Sequence, residues 1–138
     1  SDRRSSGDRY AAISIEKSVL QEGGLTDRLA TAAENLPEGL KGDVEKVSEA
    51  MSDGSMSYVE GLGELKRILK PGLFAGKENP IKQISGVLKD PNMQRLAELN
   101  DEEGLFWKMS DEVRKEKGDL PSDKHFVEVE KRMKALEK

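Results

Sequence analysis

Few residues in this chain invite a search for chemistry: a single histidine (His125), no cysteine, and one glycine-rich stretch running from Gly72 to Lys77. Without cysteine there is no thiolate nucleophile, no disulfide framework and no Cys-ligated zinc or iron–sulfur cluster. With one histidine, His-rich metal sites are excluded, and any imidazole general base must be His125. Ser122, Asp123 and Glu128 are its sequence neighbours. A Ser, Asp and His within one helical turn cannot place three side chains in series as a catalytic triad does. His125 precedes Phe126, beside an apolar stripe, so the expectation is a surface or boundary histidine.

The glycine-rich stretch fails as a phosphate-binding loop. Gly72 and Gly76 enclose three residues, and Lys77 is followed by Glu78. A P-loop needs four residues between its glycines and a Ser or Thr hydroxyl after the lysine to hold magnesium. Gly61-Leu62-Gly63 has no third glycine and a helical context, so it is not a dinucleotide fingerprint. Asp90-Pro91-Asn92 opens like a calcium loop, but Gln94 and Leu96 stand where ligands and turn belong, which makes it a helix-capping turn. Asp101, Glu102, Glu103, Asp111 and Glu112 read as solvated helix starts, because adjacent helical residues point in different directions. Carboxylate pairs are abundant and nothing selects one. No metal and no cofactor is expected.

Charge and aromatic residues leave recognition as the alternative to catalysis. The chain of 138 residues carries a net −4. Residues 1–63 hold 12 acidic and 7 basic side chains, residues 64–99 hold 4 and 7, and residues 100–138 hold 11 and 9. The basic middle makes Lys66, Arg67, Lys70 and Lys82 candidate anion-binding residues. Nucleic acid is disfavoured by the overall acidity and the lack of stacking aromatics. Phe74 and Lys77 in the glycine-rich stretch, with Trp107 and Lys108, are the candidate protein-binding residues. An exposed Trp beside a Lys makes a binding anchor, whereas a lone Trp in a lean core favours burial as a packing residue. Arg3-Arg4-Ser5-Ser6 also fits a basic-directed kinase site on Ser6.

These residues must be positioned by helices. Leu25, Leu29, Ala32 and Leu36 step by four, three and four; Leu40, Val44, Val47 and Met51 repeat the pattern, as do Tyr58, Leu62, Leu65 and Leu69. No stretch alternates with period two. The fold class expected is all-α, with six to seven short amphipathic helices: a bundle over 1–70, a linker loop at 71–79, and a smaller helical group over 80–138, or one continuous domain. Asp8 is expected to cap the first helix, which Gly23-Gly24 stops. Thr26 or Gly24 opens the next, ended before Pro37. Ser55 or Ser57 caps a helix to Lys70. Short helices follow at 80–89 and 91–99, then one capped by Asn100 or Asp101 and ended by Gly118. Ser122 or Asp123 caps the last, whose stripe is Phe126, Val129, Met133 and Leu136. The matching spacings in 25–36 and 40–51 suggest two helices packed as a hairpin.

The function expected is a non-enzymatic protein–protein interaction or scaffold domain of a larger protein. The alternatives are a phosphate- or nucleic-acid-binding module using 64–99 and a helical accessory domain of an enzyme. No apolar run approaches the roughly 18–20 residues that span a bilayer, and no signal peptide is evident. A soluble protein of the cytoplasm or another reducing intracellular compartment, partnered by another protein, is the expectation.

Overall fold

The computed structural model describes residues 6–69 and 79–137, and among these it holds seven α-helices and no strand. They are α1 (Ser6–Gln21), α2 (Leu25–Glu34), α3 (Glu38–Ser52), α4 (Tyr58–Ile68), α5 (Asn79–Lys89), α6 (Pro91–Lys117) and α7 (Ser122–Leu136). The protein is all-α. The expected linker residues 71–78, with Phe74 and Lys77, lie outside the described residues, as do Lys70, Arg3 and Arg4.

Local chemistry accounts for most helix ends. Gly24 takes the left-handed conformation at φ +73° ahead of α2, a geometry that favours glycine, so Gly24 and not Thr26 opens that helix. The Ser57 hydroxyl accepts the Glu60 N–H at 3.0 Å and caps α4. Two expected caps are corrected. Helix α1 already runs from Ser6, which puts Asp8 in its first turn. Helix α7 opens at Ser122 with Pro121 as its cap residue and no side-chain cap bond; Asp123 in its first turn supplies a charge that suits the helix dipole.

The expected break at residue 100 is absent, and 91–117 form one helix. Asn and Asp inside a helix each cost only about 0.7 kcal/mol. Leu96, Leu99, Phe106, Ser110 and Val113 are all buried, and with Glu103 they step by three or four without interruption. Burying that stripe outweighs two weak helix formers.

The chain divides into two compact units. A central unit, central in sequence, is Val19–Glu98, and a terminal unit joins the segment up to Ser18 with the segment from Leu99 onward. This corrects the expected division at 71–79. Helix α5 belongs with α2 because Val87 packs with Leu25 and Leu96, while Ile84 and Leu88 complete the core of the same unit. The α2–α3 hairpin is corrected as well. Both helices contribute to one core, α2 through Ala32, with Leu36 just past its end, and α3 through Val44 and Val47, but α2 packs chiefly on α5 and α3 on α4. At the end of α4 the Ser85 hydroxyl donates to the Leu69 carbonyl at 3.2 Å inside this core.

Gly61 of α4 lies against the Met51 side chain of α3, which a Cβ there would overlap. Gly61→Ala is therefore expected to cost about 1–3 kcal/mol despite the better helix propensity of alanine. Urea denaturation checks this, and an unchanged midpoint would show that Met51 moves aside freely.

The core of the terminal unit is Phe106, Met109 and Val113 from α6 with Val129 and Met133 from α7. Tyr10, Leu105, Leu120 and Phe126 are partly buried against it. The α7 stripe is rotated from the expected one. His125, Val129 and Met133 form the buried line, while Leu136 is exposed.

Candidate functional site

Four of the chain's six aromatic residues meet in the terminal unit. Phe106 is sealed at its centre, with Tyr10 at 5.5 Å between ring centroids and Phe126 at 6.2 Å. Trp107 follows Phe106 on α6 and so points about 100° away from it. Trp107 is 45% exposed, which corrects the packing-residue expectation. It is nonetheless held in place. Phe106 contacts it edge-on at 5.0 Å and 82°, and Tyr10 contacts it at 5.3 Å and 66°. Such edge-to-face pairs contribute about 0.5–1.5 kcal/mol beyond their burial, enough to favour one indole orientation before any partner arrives. Lys108 stands beside it, exposed.

Tyr10 reaches this cluster because α1 is fastened by charge. The Arg9 guanidinium forks onto Glu130, with Nε donating to Oε2 at 2.9 Å and Nη2 to Oε1 at 2.6 Å. Its Nη1 donates to Glu102 at 3.0 Å and to Glu137 at 2.6 Å. These bonds, the Glu130 pair foremost, push the guanidinium pKa further above its already high value against the opposing effect of burial. Lys17 Nζ pairs with Glu103 at 2.9 Å. Glu102 and Glu103 are therefore not a solvated helix start but interior residues of α6 that receive α1. Neither Arg9 nor Tyr10 stood out in the sequence. Their partners lie 93–128 residues away for Arg9, and no local pattern marks such pairs.

His125 is buried, contrary to the boundary position expected of it. Its Nε2 lies 2.8 Å from the Ser110 hydroxyl of α6, which is 1% exposed. His125 thus finds its hydrogen-bond partner on α6. Glu128 instead pairs with Lys117 at 3.1 Å and with Lys131 at 3.5 Å, and these lysines hold its carboxyl below the usual range. A hydroxyl and an imidazole sealed from solvent satisfy each other's hydrogen bonds, and among the described residues no buried side-chain polar atom is left without a partner. The signal that could have paired them is hairpin symmetry: Ser110 and His125 lie eight and seven residues either side of Gly118.

The described candidate anion-binding residues lie on two helices. Lys66 and Arg67 lie in the last turn of α4, where Arg67 Nη2 donates to Glu64 at 2.6 Å and holds that carboxyl low. Lys82 on α5 lines an open groove of about 630 Å³ together with Asp27, Arg28 and Asp90 over Leu25 and Val87, a rim of both signs. Lys66 and Arg67 do not line it. Among the described residues, no group of three or more His, Asp or Glu side chains is placed to hold a metal ion. None of the described helices is long and apolar enough to cross a membrane. Compared with protein-family models, with curated proteins and with solved structures, the chain matches none.

Proposed function

We propose that this chain is a non-enzymatic protein-interaction or scaffold domain, and that Trp107, flanked by Lys108, anchors its partner. The observation that carries this reading is the pairing of exposure with fixation at Trp107: the residue is nearly half exposed while Tyr10 and Phe106 pack against its ring. Tryptophan is among the residues most enriched at binding hot spots. An anchor already oriented loses little rotamer entropy on binding. Lys108 gives the rim a positive charge, which suits a partner carrying acidic residues around an apolar pocket.

Trp107→Ala is the test. Truncating an aromatic anchor costs about 2 kcal/mol or more, so binding of a partner retained by the wild-type chain is expected to weaken about thirtyfold. Val59→Ala serves as the control, since Val59 is also exposed but lies on α4. Equal retention by wild type and Trp107→Ala, with helix content confirmed by circular dichroism, would contradict the assignment.

A further inference from the structure

The two sides of α1 differ in how they are held. Arg9, Tyr10, Ile13 and Lys17 share one side, at spacings of three and four, and of these only Ile13 is a fully buried apolar side chain, at 3% exposure. The opposite side carries Ala11, Ala12 and Ile15, all exposed, with Ile15 at 66%. Within residues 8–18, one isoleucine and a half-buried tyrosine supply the apolar attachment. Ion pairs add to it, from Arg9 to three glutamates and from Lys17 to Glu103.

Helices α6 and α7 are joined differently. They share Phe106, Met109, Val113, Val129 and Met133, the Ser110–His125 hydrogen bond, and ion pairs between Lys117 and Glu128 and between Arg132 and Glu116. Tyr10 of α1 packs against this core, but the hydrogen bond and the ion pairs just named run between α6 and α7 alone. One guanidinium serves three carboxylates, so removal of Arg9 takes the shared counter-charge from all three at once, with Glu130 largely buried. Breaking a buried pair from one side is costly because the remaining charge is uncompensated. That cost falls on the docked state of α1, since undocking lets the glutamates be hydrated.

We infer that residues 8–18 are a charge-latched strap over Phe106 and Trp107, docked while Glu102, Glu130 and Glu137 hold Arg9, and released with α6 and α7 still paired when that latch is broken. Release bares the sides of Phe106 and Trp107 that Tyr10 covers, and so enlarges the aromatic surface. The inference does not rest on the proposed function, because the latch is read without a partner.

Hydrogen exchange of the full chain, followed by mass spectrometry, tests it. In Arg9→Met, amides of residues 8–17 are expected to exchange about tenfold faster or more, while peptides covering 106–113 and 125–133 keep their wild-type protection. Glu137→Gln removes only the most exposed latch carboxylate and is expected to move the same amides in the same direction by less. In the wild type, raising NaCl to about 1 M shortens the screening length to about 3 Å and is expected to speed exchange in the strap selectively. Unchanged exchange in residues 8–17 of Arg9→Met would show that Ile13 holds the strap and would overturn the latch. Equal acceleration in α6 and α7 would show that Arg9 is part of one cooperative core, and would overturn it also.

Discussion

Phe106→Ala is expected to destabilise the terminal unit by about 3–5 kcal/mol, the usual cost of emptying a buried aromatic site. Phe106 is 1% exposed and touches Tyr10, Trp107 and Phe126. The cavity would be poorly refilled. The neighbouring core side chains Met109, Val113, Val129 and Met133 are anchored on two helices, and Phe106 is the one aromatic ring in the buried cluster. Since small domains are stable by about 5–15 kcal/mol in total, a loss of this size moves the urea midpoint far. Trp107 fluorescence reports the transition locally, because Phe106 touches the indole. A loss below about 1 kcal/mol would mean that this cluster is not the core of the unit.

The second large effect belongs to the central unit. Ile84 is completely buried and shares a core with Leu88 from its own helix, Leu65 and Leu69 from the end of α4, and Ala32 and Leu36 from the α2 region. Ile84→Ala is expected to cost about 2–5 kcal/mol, the spread reflecting how far the site can collapse. Urea denaturation followed by circular dichroism measures it. A cost as small as that of a surface substitution, within about 0.5 kcal/mol, would contradict the placement of α5 in this core and restore the division at 71–79.

What the sequence could reveal was set by range. Features that close within a few residues were legible. Ser57 and Glu60 are three apart, and the glycine pair after α1 and the Leu25–Leu36 stripe are read from neighbours alone. Asn100-Asp101-Glu102-Glu103 has the composition of a helix start, yet it lies inside α6. The glutamates are there for a different reason, to receive Arg9 and Lys17 from α1. With 27 acidic residues in the chain, no spacing distinguishes Glu130 or Glu137 as partners of Arg9.

The site was legible in part. Trp107 and Lys108 stood out as candidates by residue type, but the sequence favoured burial of the indole. That expectation weighed the scarcity of aromatic residues and could not weigh geometry: Phe106 fills the centre, so the next residue on a helix must turn outward. His125 was misplaced for a related reason. The stripe drawn through Phe126 puts it on the flank, whereas the observed buried line runs through His125 itself, with Ser110 supplying its hydrogen-bond partner. Lys66, Arg67 and Lys82 were grouped by charge along the sequence, which says nothing of whether side chains on two helices converge.

The claim on which the functional account depends is that Trp107 is presented to a partner. Because Trp107 is the only tryptophan, acrylamide quenching of the chain's tryptophan emission reads that residue alone. The account predicts long-wavelength emission that acrylamide quenches readily in the free chain, and marked protection once a partner retained by the chain is added. A blue-shifted, unquenched indole in the free chain, or equal quenching with and without that partner, would contradict it.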